Sequence, residues 1–278
     1  MQRKIRIIAD SSANLESDKP GFASVPLRIV AGDREYVDGE GLDVDAMLDE
    51  LDAHKGPSAT ACPGIGDWFE AFGDADDVVG VTITGTLSGC HNSAVAAAQQ
   101  HMAAHPGRRV FIFDSLSTGP ELELIVEKLR ELAGQGCPFE ELREKVASYA
   151  QRTRLGFSLE SLSNMAKNGR VSSALATAAG LLGIRIVGRA SAKGELEPLH
   201  KSRGEKRAIR QLWETMLESG FAGGKVRIRH THNEKAAAKL AELVRESFPS
   251  CDIRIGANRG LCSYYAERGG LLVGYEGV

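Results

Sequence analysis

Short apolar blocks recur along the first half of the chain, each running into polar or glycine-containing residues: KIRIIAD (4–10), VVGVTIT (78–84) and RRVFIFD (108–114). Apolar runs of this length, bounded by turn residues, read as buried strands. Between and after them, apolar positions fall at helical spacing in DVDAMLDEL, IGDWFEAF, SAVAAAQQHMAA and ELELIVEKLRELAGQG, the last closing on a glycine suited to a helix C-terminus. Buried strands alternating with helices predict a mostly parallel sheet with helices on both faces. VPLRIVAGDREYVDGEGLD departs from this, and its two β-like pieces joined by Ala31-Gly32-Asp33 predict a small hairpin outside the main sheet.

Beyond about Arg152 the pattern changes. LESLSNMAKNGRVSSALATAAGLLG predicts a helix, a break at Asn168-Gly169 and a second helix of small and apolar residues. IRIVGRASAKGELEPLHKSRG predicts a hairpin about Lys193-Gly194, followed by the helix EKRAIRQLWETMLESG. The chain then reads as strand KVRIRHTH, helix EKAAAKLAELVRESF, strand CDIRIGAN, a turn, and strand GGLLVGYEG. The expected fold class is therefore α/β. An N-terminal domain (1–153) with a mostly parallel sheet flanked by helices is followed by an α+β domain (154–278), with a ligand site between them.

Composition narrows the function classes. With 278 residues, 42% hydrophobic and 26% charged, the chain has ordinary globular makeup, and a net charge of −3 supplies no field to recruit nucleic acid. The five cysteines contain no CxxC pair, which points away from a zinc site or redox dithiol and towards free thiols in a reducing compartment. The apolar run before Asp10 is too short for a signal peptide, and no stretch is long enough to span a bilayer. A cytoplasmic protein without stable membrane insertion is expected.

Several enzyme signatures fail. In GTLSG the serine, Ser88, is fourth rather than third, so the nucleophile-elbow frame is not met, and there is neither a Walker lysine motif nor a dinucleotide glycine fingerprint. His230 and His232 in RHTH would share a strand face as a metal pair or as ordinary strand residues, and no third ligand lies nearby in sequence. What remains is a recurrence of hydroxyls after predicted strands: Asp10-Ser11-Ser12, Thr86 and Ser88, and Asp114-Ser115 with Ser117. In a parallel sheet these ends line one edge, where ligands bind at a topological switch point. Hydroxyls beside the first amides of a helix make an anion site, although Ser88 would equally serve as a helix cap. Thr60 repeats the theme just before Pro63 at a helix start. Two alternatives stay open on the residues alone. One is an enzyme acting on an acyl or phosphoryl group with Ser88 as nucleophile and His91 as base, and the other is a binding module for some other small anion.

The motifs IIADSSANL, VPLRIVAGDREYVDG, TACPGIGDWFEAF, ITGTLSGCHNSA, VFIFDSLSTG, LSNMAKNGRVSSA, GELEPLHKSRGEKRAI and IGANRG, in this order, resemble the DegV family of bacterial fatty-acid-binding proteins across essentially the whole chain. The resemblance implies a non-enzymatic carrier with no cofactor. It would enclose one long-chain fatty acid and, in many bacteria, present the acid to a separate ATP-dependent kinase that makes acyl phosphate for phospholipid synthesis. By motif, Thr60 matches the threonine of the family's T-S-Q-P and Ser88 the serine of L-S-G-T, both carboxylate ligands. Arg170 matches the arginine of G-G-R-I-S, and Arg203 that of V-R-G, implicated in engaging the kinase.

Two departures stand out. T-S-Q-P is here Thr60-Ala61-Cys62-Pro63, and Asn258 replaces the histidine of the family's C-terminal A-H-x-G-P-G. An amide at Asn258 can still contact a carboxylate but cannot carry a proton, and Arg259 beside it could compensate electrostatically. Burying about fifteen methylenes at roughly 0.8 kcal/mol each gives on the order of 10 kcal/mol before ordering costs. SALATAAGLLG offers side chains of the kind such a tunnel would use, or those of an ordinary core helix.

Overall fold

A computed structural model describes residues 3–18, 21–179 and 182–278. The run IRIIAD forms β1 (Ile5–Asp10), closed by a single 3-10 turn at Ser11–Ala13, and β2 (Phe22–Val25) follows. The expected hairpin is β3 (Arg28–Ala31) with β4 (Arg34–Val37). Helix α1 (Val44–Ala53), strand β5 (Ser58–Ala61), α2 (Ile65–Phe72), β6 (Asp77–Thr82), α3 (Cys90–Ala104), β7 (Arg109–Asp114), α4 (Gly119–Gly134) and α5 (Phe139–Ala150) complete the first half. Strands β2-β1-β6-β7 pair in that order, all parallel.

Alternation along the central strands explains the layers. Ile8 and Val78 point to one face, against Trp68, Phe72 and the small residues Ala94 and Ala97 of α3. Ile7, Val79 and Val81 point to the other, against Leu122, Ile125 and Leu129 of α4 and Leu142 and Val146 of α5. β5 adds to the hairpin to give a three-stranded antiparallel sheet, β4-β3-β5, which places Thr60 opposite Ile29. Sequence reading had Thr60 at a helix start. The helix begins only at Ile65, and Thr60 is a strand residue.

The second half starts with β8 (Thr153–Leu159), then α6 (Ser163–Lys167), α7 (Ser173–Ala179), β9 (Ile184–Ala190), β10 (Leu196–Arg203), α8 (Glu205–Glu218), β11 (Lys225–His230), α9 (Glu234–Ser247), β12 (Asp252–Ala257), α10 (Gly260–Ala266) and β13 (Leu271–Glu276). The break expected at Asn168-Gly169 is present, with Gly169 in the left-handed region. Gly180 and Leu181, the end of the proposed tunnel helix, lie outside the described residues. The six-stranded sheet runs β10-β9-β8-β13-β11-β12, antiparallel except for β11 with β12. α8 and α9 cover one face through Leu212, Met216, Leu240 and Val244. The "turn" expected before β13 is the helix α10, whose first amides, Gly260 N–H and Leu261 N–H, donate to the buried Asp38 at 2.9 and 3.0 Å.

α4 joins the sheets, and its residues from Gly119 to Val126 are all buried. A side chain at Gly274 of β13 would meet the Pro120 carbonyl at 2.3 Å, so only glycine lets the helix start approach so closely. Glu123 pairs with Arg229, and Glu127 with the fully buried Arg227. Glu121 accepts from Thr153 at 2.8 Å and from Ser117.

Burial pushes the Glu121 carboxyl up to about 7, and the two hydroxyls only partly offset it. The folded protein thus holds this proton near pH 7, whereas the unfolded chain releases it in the ordinary carboxylate range. More protons are bound folded than unfolded across that window, so stability falls as pH rises through it. Urea denaturation between roughly pH 5 and 8 is expected to show a loss on the order of 3 kcal/mol from this group. Glu121→Gln should flatten that slope, and a variant with the native slope would sink the assignment.

Candidate functional site

An apolar cavity lies between the carboxyl edge of the parallel sheet and the six-stranded sheet, with about 710 Å³ of space free of atoms when its opening to solvent is counted. Leu155, Phe157 and Leu159, at alternate positions of β8, form one wall with Leu272 of β13. Leu261, Cys262, Tyr265 and Ala266 of α10 form a second, and Leu27, Ile83 and Leu87 face them from the N-terminal half. Met165 of α6 and Leu196 of β10 complete the apolar lining. No described residue of α7 lines the cavity. Leu175 and Ala176 instead pack behind its wall, against the cluster of Phe157, Leu159 and Met165.

The polar lining consists of Thr60, Ser88, Thr118, Arg170 and the hydroxyl of Tyr265. Thr60 Oγ1 and Tyr265 Oη lie 2.7 Å apart. Arg170 Nε donates to the Leu87 carbonyl at 2.9 Å, which sets the guanidinium beside Ser88, and its other described bond goes to the Asn168 carbonyl. Among the described residues no carboxylate pairs with Arg170, so its positive charge is left for an anion. Ser88 Oγ accepts from the Cys90 N–H at 3.3 Å and donates to the Cys90 sulfur at 3.2 Å.

The corner around Ser88 is braced by its neighbours. Asp10, fully buried, accepts from Ile83 N–H at 2.7 Å and from Ser12 N–H and Oγ at 3.1 and 2.5 Å. Burial pushes Asp10 up to about 6 despite these three bonds. Thr84 Oγ1 accepts from Thr86 N–H at 3.3 Å, Thr86 Oγ1 donates to the Lys193 carbonyl at the β9–β10 hairpin tip at 2.8 Å, and Asp114 accepts from Gly85 N–H. The hydroxyls at the strand ends therefore do not converge on a ligand. Most hold backbone, and Ser88 is the one from the β6–α3 corner that lines the cavity.

Other sequence candidates lie elsewhere. Asn258 is buried outside the lining, its amide donating to Thr231 Oγ1 at 3.0 Å and its oxygen 3.4 Å from the Asn14 amide. Arg259 pairs with Glu16 and donates to the Gly39 carbonyl, which removes it from a compensating role. Arg203 is exposed at the end of β10, away from the cavity. His230 and His232 do not share a strand face, because β11 ends at His230 and His232 adopts a left-handed φ of 52° and bonds Asp45 at 2.6 Å. His91 Nδ1 lies 3.3 Å from Thr82 Oγ1, while the Ser88 hydroxyl is directed at Cys90, so the serine–histidine contact of the enzyme reading is not formed. Sequence reading missed Tyr265 and Cys62. Cys62 packs against the cluster that holds Cys90; the Cys90 thiol and then the Ser93 hydroxyl pull Cys62 down to about 6, while Cys90 is pushed far up.

A family model described as uncharacterised protein, DegV family, matches residues 4–276. The chain belongs to the DegV family. A DegV domain-containing protein of Streptococcus pneumoniae is 44% identical over 276 residues, covering 98% of both chains. A DegV family protein from Eubacterium eligens, solved loaded with heptadecanoic acid, superposes with a TM-score of 0.96 at 43% identity, over 99% of this chain and 100% of its own. The Streptococcus pneumoniae Fatty Acid Kinase (Fak) B3 protein loaded with linoleic acid matches with the same TM-score, identity and coverage.

In this DegV protein the Thr60–Tyr265 bond ties the small sheet to α10 at the cavity. Tyr265→Phe and Thr60→Val should each cost about 1 kcal/mol in urea denaturation, and the double variant no more than about 1 kcal/mol in total. Additive losses would show that the two hydroxyls act separately.

Proposed function

We propose that this DegV protein binds one long-chain fatty acid, with its chain along the apolar cavity and its carboxylate at Ser88 and Thr60. The observation that carries the reading is the division of the lining: aliphatic and aromatic side chains over most of the surface, with hydroxyls and the uncompensated Arg170 gathered where β5, α10 and the Ser88 corner meet. The acyl chain supplies the affinity by burial, and the hydroxyls and guanidinium orient the head group. In this reading Tyr265, bonded to Thr60, takes the third contact that the sequence assigned to Asn258. The fatty acids bound by the similar proteins of Eubacterium eligens and Streptococcus pneumoniae support this.

We further propose that a separate ATP-dependent kinase phosphorylates the presented carboxylate for phospholipid synthesis; the similar Streptococcus pneumoniae protein is a Fatty Acid Kinase (Fak) B3 protein. Arg203, exposed and remote from the cavity, is the proposed contact with that partner. In this reading residues 1–153 and 154–278 are two domains closing on the ligand, no cofactor is required, and the protein works in the cytoplasm. The five free cysteines fit a reducing compartment, and among the described residues no helix is long and apolar enough to cross a membrane.

Protein purified from bacteria is expected to release fatty acid on denaturation, detected by mass spectrometry, and Ser88→Ala should weaken binding of a fluorescent fatty acid about tenfold or more. Repeatedly empty protein that also fails to take up added fatty acid would defeat the proposal. Arg203→Ala should leave that binding unchanged while lowering acyl phosphate formation with the cognate kinase. Equal turnover of native and variant protein would remove the partner role of Arg203.

A further inference from the structure

Two thiols flank the head-group end, and the fatty-acid reading uses neither. Cys62 follows Thr60 by two residues, and Cys90 follows Ser88 by two, so each sulfur sits on a segment that also carries a cavity hydroxyl. Cys90 is fully buried and Cys62 half-buried, and both belong to the same packed cluster. A side chain at Gly89 would reach within 3.2 Å of the Cys62 sulfur, so that sulfur lies directly over the backbone that leads into Cys90. The Cys90 thiol, then the Ser93 hydroxyl and, last, the Arg170 guanidinium favour the Cys62 anion. The remaining cysteines stand apart: Cys137 is beside Lys145, Cys251 packs among Phe248 and Ile253, and Cys262 donates to the Ser12 carbonyl at 3.4 Å.

We propose that Cys62 and Cys90 form a hydroperoxide-sensitive thiol–disulfide pair that joins the Thr60 and Ser88 segments beside the cavity. The groups around Cys62 supply what a reactive thiol requires, namely hydrogen-bond donors and a cation, with access from solvent. The Cys62 thiolate attacks the terminal oxygen of a hydroperoxide. An S–O bond forms, the O–O bond breaks, and the leaving alkoxide or hydroxide takes a proton, so Cys62 becomes a sulfenic acid. The Cys90 sulfur, losing its proton, then attacks the Cys62 sulfur, forming the S–S bond as the S–O bond breaks and water leaves. In sum, two thiols and one hydroperoxide give one disulfide, one water, and one alcohol or second water. An added dithiol reverses the change. With the bond closed, Thr60 and Ser88 can no longer move apart. Resting on the fatty-acid reading, this step slows exchange of a bound fatty acid.

The test uses the full chain, stripped of lipid and reduced. At neutral pH, iodoacetamide should label Cys62 about tenfold or more faster than Cys251, the other half-buried thiol. Hydrogen peroxide should lower the titratable thiols from five to three, with loss of two hydrogen masses and a non-reduced peptide joining Cys62 to Cys90, and dithiothreitol should restore all five. In Cys90→Ala, oxidation should stop at a sulfenic acid on Cys62 that dimedone traps. Labelling of Cys62 no faster than Cys251, or oxidation of native protein that leaves Cys90 free, overturns the pair. A disulfide that forms while displacement of a fluorescent fatty acid keeps its rate overturns the gate alone. Failure of the reduced protein to bind any fatty acid counts instead against the function proposed above.

Discussion

The cavity exists because one helix is shared by two sheets. Leu122, Ile125 and Leu129 of α4 complete the core under the parallel sheet, while Glu121, Glu123 and Glu127 turn to the six-stranded sheet. The two ion pairs act as a ruler. Arg227 and Arg229 are two residues apart on β11, about 6.6 Å along a strand, and Glu127 and Glu123 are four apart on α4, about 6 Å along a helix. Both pairs close together only when the helix lies along β11 in one register. Burying such charges contributes little net stability, but a slipped register leaves them unpaired at a cost of several kcal/mol. That register also fixes how far Leu155, Phe157 and Leu272 stand from Ile83, Leu87 and Ser88, which is the width of the cavity.

On the opposite wall the same kind of constraint appears at short range. A strand that stops at Thr82 and a helix that starts at Cys90 leave a turn of backbone amides that must all find acceptors near an apolar space. Asp10, Asp114 and the Thr84 hydroxyl take the Ile83, Gly85 and Thr86 amides, and the Ser117 carbonyl takes that of Thr84. A rigid corner results, with Ser88 held at its exit. The abundance of hydroxyls and carboxylates at the strand ends reflects this accounting rather than a large binding surface.

The legibility of the sequence follows from the range of the interactions involved. Fully buried parallel strands such as DVVGVT announce themselves because both faces are apolar, and the hairpins about Asp33 and Gly194 because their turns are local. β5 was missed because SATA is short and takes its strand form only by pairing with Ile29 and its neighbours. α10 was missed because GLCSYYA has no polar face and its cap, Asp38, is over two hundred residues away. The same remoteness hid Tyr265. Motif position led to Thr60, Ser88 and Arg170, which do share the cavity. It also led to Asn258 and Arg259, whose side chains are taken up by Thr231, Asn14, Glu16 and Gly39, partners that no local pattern exposes.

The composition of the polar end bears on what a bound carboxylate could do there. Among the described residues no histidine and no carboxylic acid lines the space, so the lining offers no general base suited to pH 7. Hydroxyls donate to a carboxylate without neutralising it, and Arg170, reaching in from an exposed position, adds charge without burying the pair. In the reading proposed here the head group therefore stays a hydrogen-bonded anion. It is a competent nucleophile towards a phosphoryl group brought from outside. A buried ion pair would bind it more tightly and present it less well, and on the proposal that the acid is held for a separate kinase, the asparagine in place of the family's histidine is no defect.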